Sequence, residues 1–342
     1  MICPQIRTTT TATTRARRAG DGGSRRLLVG LALVLAVAVG TAGAQVAADR
    51  TTRIVVSLAA GSGNDLSTRV LADGLQAELG HAVIVDNRPG ADGAIAVRQV
   101  ASASPDGSTL LSGLGSIVAI NPALRNDRPY DPKRDLVPVA MVARQPLLLI
   151  VAPTVPATTL REFVEYARRQ RGAVNYGAGT NTFMLAGELF KQVAGVEMQH
   201  IPFNGSGPVV TAVMAGTVQA AFITAAAVIG PAKSGKLRVL AVTGSERLAQ
   251  LPDVPTFSEE GITGLDIPVW SAIYAPAGTP REVVDRLNAA IRRALSTPSV
   301  RDRLTANAET IVGSSPEALA ATAERDAAKM KELVTRIGLA PR

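Results

Sequence analysis

The sequence is poor in the side chains that build disulfides, thiol active sites and zinc centres. It contains one cysteine, Cys3, and two histidines, His81 and His200, among 342 residues. A disulfide needs a second cysteine, and a structural zinc site needs about four Cys or His ligands. We therefore expect no disulfide, no thiol nucleophile and no metal site, and no other motif implies a cofactor.

Signatures of two enzyme classes are missing or incomplete. The chain has no Gly-x-Ser-x-Gly nucleophile elbow. Gly61-Ser-Gly-Asn-Asp-Leu66 begins like a dinucleotide fingerprint, but Leu66 stands where close helix–strand packing needs Gly or Ala. His200 lies in an apolar strand pattern, which favours a packing role over that of a general base. These observations disfavour a hydrolase and a nicotinamide enzyme.

Most of the excess positive charge lies in the first 44 residues. The whole chain has a formal net charge of +8, and residues 1–44 hold six of its 36 Lys and Arg and one of its 28 Asp and Glu. The remainder has 30 basic and 27 acidic residues, a net charge of +3. No Lys/Arg block with interleaved aromatic residues follows the leader, so we expect no nucleic-acid partner.

Residues 1–44 have the pattern of a secretory signal peptide. Five arginines from Arg15 to Arg26 precede the apolar run Leu27–Gly40, and Ala42-Gly-Ala44 offers small residues for cleavage. A membrane anchor is the alternative, because the run approaches the ~20 residues that span a bilayer. The cleavage site and the lack of a basic stop favour export to the periplasm, by the Sec or the twin-arginine route. Cleavage after Ala44 leaves 298 residues, enough for two domains.

Strands alternate with helices throughout this remainder. Ile54–Val56 is a β-branched run typical of a buried strand, and apolar residues from Leu66 to Leu79 recur at helical spacing. Thr159 and Glu162 have the spacing of a capping box at the start of another helix. The alternation predicts parallel sheets with crossover helices. We expect two α/β domains joined by crossings near Ala143 and Val269, with domain 1 at 45–143 plus 269–342 and domain 2 at 144–268.

Three loops between a strand and a helix are rich in Gly, Ser, Thr and Asn. They are Ala59–Asn64, Ala178–Thr182 and Phe203–Gly207, and none contains Lys or Arg. At the carboxyl ends of parallel strands, such loops can converge on one ligand and bind an anion through backbone N–H groups, hydroxyls and helix dipoles. The alternative is that Gly and Ser only make tight turns. The single tryptophan, Trp270, lies at the second crossing, either in the core or lining the cleft.

A series of short motifs runs in order through the chain after residue 44. They are Arg53-Ile-Val-Val56 with Gly61-Ser-Gly-Asn-Asp65, Asn87-Arg-Pro-Gly-Ala91, Ser104-Pro-Asp-Gly107, Ile120-Asn-Pro122, Tyr130-Asp-Pro132, Asn175-Tyr-Gly177, Leu185-Ala-Gly-Glu-Leu-Phe190, Gly205-Ser206 with Pro208, Gly235-Lys-Leu-Arg-Val-Leu-Ala-Val242, Leu251-Pro-Asp-Val-Pro255 and Ala275-Pro-Ala-Gly-Thr-Pro280. The series resembles the periplasmic receptors of tripartite tricarboxylate transporters, also called the Bug family, over nearly the whole chain.

The resemblance implies an α/β two-domain periplasmic binding fold of type II, with two parallel-type sheets flanked by helices and a ligand cleft between the domains. In the family, loops of both domains hold a carboxylate through main-chain and hydroxyl donors, often through ordered waters. Carried over to this chain, the ligand-binding positions are Ala60, Gly61, Asn64, Asp65, Ser116, Gly179, Thr180, Asn181, Thr182, Phe203, Asn204, Gly205 and Thr224.

Several positions depart from the family pattern. Leu58, Ala59 and Ala60 occupy a loop that is usually rich in Pro and Gly. Other departures are Met184 for a common His, Phe203-Asn204 for a common Tyr-Lys, and Gln219 and Thr224 for two frequent aspartates. Without an aspartate at position 224, an acceptor for an amino or hydroxyl group is missing, so a less polar carboxylate is expected.

The resemblance implies a function in capture and not in catalysis. The expected protein is a monomeric receptor that binds a small organic carboxylate and delivers it to the membrane subunits of a tripartite tricarboxylate-type transporter. The alternative from another class is a periplasmic ligand sensor that reports to a sensor kinase of a two-component system. An enzyme ranks third, because the residues provide no evident nucleophile, base or metal site.

Overall fold

A computed structural model describes residues 51–125, 129–265 and 267–339 of the chain. The predicted signal peptide lies outside the described residues, so its cleavage stays a prediction. Within these ranges, no helix is both long and apolar enough to cross a membrane. The described residues that follow the leader form one compact unit.

The described residues form eleven strands. They are β1 (Thr52–Val56), β2 (Val83–Asn87), β3 (Thr109–Leu114), β4 (Leu136–Arg144), β5 (Leu147–Val151), β6 (Asn175–Ala178), β7 (Gln199–Pro202), β8 (Ala220–Thr224), β9 (Arg238–Val242), β10 (Trp270–Pro276) and β11 (Thr310–Ile311).

The same residues form eleven α-helices and a few shorter helical turns. The helices are α1 (Gly63–Leu79), α2 (Ala94–Ala101), α3 (Asn121–Leu124), α4 (Pro132–Asp135), α5 (Leu160–Gln170), α6 (Asn181–Ala194), α7 (Ser206–Met214), α8 (Ile229–Lys233), α9 (Arg281–Ser296), α10 (Pro298–Ala306) and α11 (Pro316–Arg336). A π-helical turn, Ser116–Ile120, precedes α3. The predicted capping box at Thr159 and Glu162 is confirmed at the start of α5.

The strands form two mixed sheets. The first has the order β11-β4-β10-β3-β1-β2, and the second has the order β7-β6-β8-β5-β9. The strands β2-β1-β3 and β7-β6-β8 pair in parallel, as the alternation of strands and helices predicts. Strands β10 and β5 pair antiparallel to their neighbours, because they enter their sheets from the other half of the chain without a crossover helix. The predicted α/β class with helix-flanked sheets is confirmed, and antiparallel strands extend each parallel core.

The chain passes twice between the sheets. Only Gln145 and Pro146 separate β4 from β5. The return passage ends at Val269, whose carbonyl accepts a hydrogen bond from the Gln145 N–H at 3.0 Å. We use "first lobe" for residues 51–144 and 269–339 and "second lobe" for residues 145–268. The domain boundaries themselves remain a prediction.

Both faces of the first sheet are buried. Ile54 and Leu110 pack into one apolar cluster with helices α1 and α9, whereas their neighbours Val55 and Leu111 pack into another with α2. Successive strand residues point to opposite faces, so a run without polar residues fits a sheet that is covered on both sides. In the second lobe, Phe222 on β8 packs against Phe190 on α6, with ring centroids 5.5 Å apart.

A buried carboxyl group lies beside the crossings. Glu309, just before β11, is 4% exposed. The Ser67 hydroxyl of α1 hydrogen-bonds Glu309 Oε1, and Oε2 has no hydrogen-bond partner among the described residues. Burial raises the pKa of Glu309 to about 7, and the Ser67 hydroxyl opposes only part of that shift. Below about pH 7, Glu309 is therefore mostly neutral in the native state.

Glu309 should make the stability depend on pH. Between its ordinary pKa of 4.5 and about 7, the native state binds more protons at Glu309 than the unfolded state does. Stability from this group is therefore full below pH 4.5 and is lost as pH rises to about 7, by about 3 kcal/mol. We expect Glu309→Gln to remove this decline in urea denaturation series from pH 4.5 to 8. Glu332→Gln, at an exposed position, is the control, and an unchanged decline in Glu309→Gln would contradict the assignment.

Candidate functional site

A cavity lies where strand ends of the two sheets face each other. It encloses about 490 Å³, including its solvent-open side. Its lining follows the carboxyl ends of five parallel strands, three from the first lobe and two from the second. The lining residues are Ser57, Leu58, Ala59, Pro89, Gly90, Ala91, Asp92, Gly93, Leu114, Ser116, Ile117, Asn121, Gly179, Thr180, Asn181, Phe203, Asn204 and Gly205. Ligands of open α/β sheets bind at this edge.

A second cavity shares Leu58, Leu114 and Thr180 with the first. It encloses about 340 Å³, and Trp270 from the second crossing forms part of its wall. The Trp270 side chain is fully buried, and its Nε1 donates to Asp326 Oδ2 of α11 at 2.8 Å. Trp270 is therefore both a core residue and part of the lining, so the two alternatives for this residue are both realised.

The structure brings most of the predicted ligand-binding residues to these two cavities. Seven of the thirteen line the first, namely Ser116, Gly179, Thr180, Asn181, Phe203, Asn204 and Gly205. Asn64, Thr182 and Thr224 line the second, together with Thr180. Ala60, Gly61 and Asp65 line neither cavity.

Helix N-termini from both lobes point at the cavities. Ser62 Oγ caps α1 by accepting from Asp65 N, and Thr180 Oγ1 caps α6 by accepting from Phe183 N. Helix α7 begins after Gly205 without a side-chain cap, and α2 begins after Gly93 in the same way. The first N–H groups of a helix lack intrahelical acceptors and carry a partial positive charge. The N–H groups of Gly93 and Ala94 before α2 donate to the Gly90 and Ala91 carbonyls, so the free donors at the cavities come from the starts of α1, α6 and α7.

The cavities contain almost no charged side chains. Among the described residues that line them, Asp92 is the one ionisable group, and none is Lys or Arg. An anion bound here would be neutralised by N–H groups, hydroxyls and helix dipoles. Such interactions are strong where water is excluded, since the local dielectric constant is low.

Asp65 supports the first loop from behind. Its side chain is 2% exposed and accepts hydrogen bonds from Gly61 N at 2.9 Å, Arg69 Nε at 3.1 Å and Asn87 Nδ2 at 2.9 Å. Asn87 Nδ2 also donates to the Leu58 carbonyl at 3.0 Å. Burial acts to raise the pKa of Asp65, but these three donors outweigh it and hold the pKa below its ordinary value. Asp65 and Gly61 therefore shape the loop that carries Leu58 to the cavity.

Two glycines allow the loops of the second lobe to approach each other. A Cβ on Gly179 would lie 2.3 Å from the Gly205 carbonyl oxygen, so no larger residue fits there. Gly205 has φ 95° and donates its N–H to the Gly179 carbonyl at 3.2 Å. A Cβ on Gly205 would lie 3.8 Å from the Ala59 Cβ of the first lobe. The backbone of Gly205 thus faces Ala59 of the first lobe without a side chain of its own.

Thr224 fills the place where the second lobe meets the start of α1. A Cβ on Gly63 would lie 2.8 Å from Thr224 Oγ1. The Gly63 position therefore admits no side chain unless Thr224 moves. A threonine here offers a hydroxyl to the second cavity and no charge.

Two segments of the cavity wall were not predicted from the sequence. In the sequence, Pro89, Gly90, Ala91 and Asn121 stand out only as members of short motifs, and Asp92 and Gly93 belong to none, yet all six residues line the first cavity. Gly90 and Gly93 have φ values of 123° and 92°. The two glycines after a predicted strand were the available signal, because they place the loop where the other strand ends already pointed to a ligand.

No metal centre is evident in the described ranges. They contain no group of three or more His, Cys, Asp or Glu side chains placed to hold a metal ion.

Comparison with known families gives one extended match. A family model described as a tripartite tricarboxylate transporter family receptor matches residues 67–339. The chain is 38% identical over 281 residues to a UPF0065 protein of Bordetella bronchiseptica, a match that covers 82% of this chain and 84% of that protein. It is 34% identical over 297 residues to protein BugT of Bordetella pertussis, with 84% and 91% covered.

Solved structures with the same fold include two that hold carboxylates. An R. palustris protein solved with adipate matches with a TM-score of 0.83 and 32% identity, over 86% of this chain and 99% of that one. MatC from Rhodopseudomonas palustris, solved with bound malate, matches with a TM-score of 0.79 and 30% identity, over 84% and 99%.

Removing the Asp65 carboxylate should destabilise the protein. In Asp65→Ala, buried donors lose their acceptor, and we expect a loss of about 3 kcal/mol in the free energy of unfolding. Asp73→Ala on the same helix is the matched control, because Asp73 pairs with Arg303 on the surface and should cost less than about 1 kcal/mol. Urea denaturation at pH 7 measures both. Equal losses would show that Asp65 is not the support described.

Proposed function

Because the chain belongs to the tripartite tricarboxylate transporter receptor family, we propose that it is a periplasmic solute-binding receptor for a small organic carboxylate. The ligand occupies the cavity between the two lobes. After capture, the receptor delivers it to the membrane subunits of a tripartite tricarboxylate-type transporter.

One observation carries the proposal. The N-termini of α1, α6 and α7, which come from both lobes, lie at two adjoining cavities whose described lining holds no cationic side chain. A carboxylate is small enough to accept several N–H bonds at once, and helix N-termini favour negative charge. A neutral ligand could accept the same hydrogen bonds, but it would lose the added strength that its negative charge gives them, so it should bind more weakly.

The proposed contacts divide by their part in the cavity. Backbone N–H groups of Gly179–Asn181 and Asn204, with the Ser116 and Thr180 hydroxyls, bind the carboxylate. Phe203 and Gly205 contact the ligand as parts of the wall, because their N–H groups already donate to the Ala178 and Gly179 carbonyls. Asn64, Thr182 and Thr224 border the second cavity and contact the rest of the ligand. Ala60, Gly61 and Asp65 act on the ligand through the shape of the first loop.

The ligand class follows from the charges of the lining. Two relatives are solved with adipate and with malate, which supports a carboxylate for this chain as well. The described lining offers no acidic partner for an ammonium group near Thr224. The one acidic residue of the lining, Asp92, belongs to the first cavity, so an amino acid with its ammonium group near Thr224 would bury that group without a counter-charge. We therefore propose a carboxylate without an amino group.

Capture requires no chemical step. A receptor functions if its ligand binds the closed arrangement more tightly than the open one. The walls of the first cavity come from both lobes, so a ligand between them favours closure. This supports a binding protein over an enzyme.

A ligand panel tests the proposal directly. We expect adipate or malate to raise the melting temperature of the purified protein by a few degrees at 100-fold excess over its Kd, because a ligand stabilises the state that it binds. Adipamide, which has the shape of adipate without its charge, is the control and should have no effect. The Trp270 emission gives an independent signal from the second cavity. If no carboxylate in the panel binds, the proposed function is wrong, and tight binding of aspartate or glutamate would overturn the ligand class.

A side chain at Gly205 should weaken ligand binding. Gly205→Val places methyl groups against Ala59 and hinders the approach of a ligand to the backbone, so we expect at least a tenfold rise in Kd by calorimetry.

Two matched variants separate this effect from backbone strain. Gly278→Val shares the positive φ (81°) but has open space around it, far along the chain, and should lose stability without losing affinity. Gly207→Val, also in open space, controls for a valine near the start of α7. Normal ligand binding by Gly205→Val would show that the site is misplaced.

A further inference from the structure

Asn121 and Asn181 form a hydrogen bond from one lobe to the other. Asn121 is the first residue of α3 in the first lobe, and Asn181 is the first residue of α6 in the second. Asn181 Nδ2 donates to Asn121 Oδ1 at 2.9 Å. Both residues line the first cavity. This bond can form only when the lobes are as close as they are here.

The orientation of the Asn121 amide is fixed by its other partners. Asn121 is 4% exposed. Its Nδ2 donates to the Asp92 carbonyl at 2.8 Å and to the Tyr130 hydroxyl at 3.1 Å. The Tyr130 hydroxyl in turn donates to the Ile117 carbonyl at 2.9 Å. A flipped amide would place its oxygen against the Asp92 carbonyl, so Oδ1 must face the second lobe as an acceptor.

Asn121 also holds a backbone segment in an uncommon conformation. Ala91 and Asp92 have φ values of 47° and 52°, in the left-handed region that L residues seldom adopt. Such conformations persist where surrounding contacts hold them. The hydrogen bond to the Asp92 carbonyl is one such contact, and Gly93 N donating to the Gly90 carbonyl is another. The segment Gly90–Gly93 is a wall of the first cavity.

The surroundings of Asn121 join the lobes through apolar contacts. Ala119, Ile120 and Leu124 belong to the same buried cluster as the core of the second lobe. Apolar contacts are non-directional and leave the exact alignment of two surfaces open. A buried hydrogen bond between two oriented amides requires a definite alignment. Asn121 therefore takes part in two interactions at once: the hydrogen bond between the lobes and the hydrogen bond that holds the Gly90–Gly93 wall.

We propose that Asn121 is a positioning residue that stabilises the closed arrangement of the lobes through Asn181 and holds Gly90–Gly93 against the bound ligand. The ligand part rests on the proposed receptor function. The closure part concerns the lobes alone and can be tested without a ligand.

The experiment compares four variants with the wild type. They are Asn181→Ala, Asn121→Ala, the double variant, and Tyr130→Phe as control. Tyr130→Phe removes the hydroxyl behind Asn121 but leaves the bond to Asn181 in place. Small-angle X-ray scattering of the purified proteins without ligand gives the radius of gyration. Stopped-flow Trp270 fluorescence with adipate gives the association and dissociation rate constants.

We expect both single asparagine variants to have a larger radius of gyration than the wild type. Their dissociation rate constants for adipate should rise roughly fivefold, with little change in association, because the lost bond exists only in the closed state. The double variant should resemble Asn121→Ala, since the two residues act through one bond. Tyr130→Phe should lower the melting temperature without changing the radius of gyration.

Other results would overturn the proposal. An unchanged radius of gyration in Asn181→Ala shows that the bond does not hold the lobes, as does an additive effect in the double variant. If Asn121→Ala does not fold, Asn181→Ala alone decides the scattering test. If the wild type binds no adipate or other carboxylate, the proposed function fails, while the scattering without ligand still decides the closure part.

Discussion

Helix N-termini from two lobes lie around two adjoining cavities whose described walls hold no cationic side chain, and both sheets are arranged so that these helices face each other. An anion that leaves water must be compensated by fixed donors. Backbone N–H groups can do this only if the helices that carry them are aimed at a common point. Parallel pairing of β2-β1-β3 and of β7-β6-β8 places the loops of each lobe at one edge. The antiparallel strands near the crossings then bring the two edges face to face.

The loops at this meeting point are held by groups that do not themselves line the cavity. Asp65 accepts hydrogen bonds from three residues behind the first loop. Gly179 has no side chain, so the loop of Gly205 packs directly against the backbone of Gly179. Binding donors must be held within a fraction of an ångström to act together, so such supporting contacts are needed. The buried carboxyl group of Glu309, near the crossings, differs from that of Asp65. Its burial makes the native state less stable as the carboxyl group ionises. Helix α1 therefore contributes both to a stabilising contact, through Asp65, and to the surroundings of a destabilising one, through the bond from Ser67 to Glu309.

Particular residues show how far the sequence could predict the site. The loops at Ala178–Thr182 and Phe203–Gly207 were recognisable, because small polar residues between a strand and a helix mark a strand's carboxyl end. Asn121 and Pro89–Gly93 were not, although both line the cavity. A turn signal shows that the chain reverses, but it does not show which surface the turn meets. Conversely, Asp65 directly follows the recognised loop Ala59–Asn64 and yet lines neither cavity, because its carboxylate accepts hydrogen bonds within the first lobe.

Four properties could be predicted from the residues alone: the alternation of strands and helices, the α/β class, the family, and the neutral character of the loops at the strand ends. These follow from local periodicity, turn residues and composition, which each segment carries regardless of its neighbours. Three other features became evident from the folded chain: both sheets are mixed, Trp270 lines a cavity, and Asn121 hydrogen-bonds Asn181. Each of these depends on how segments that are distant in the chain approach one another. That approach is set by the packing of the whole core, which no single stretch of sequence contains.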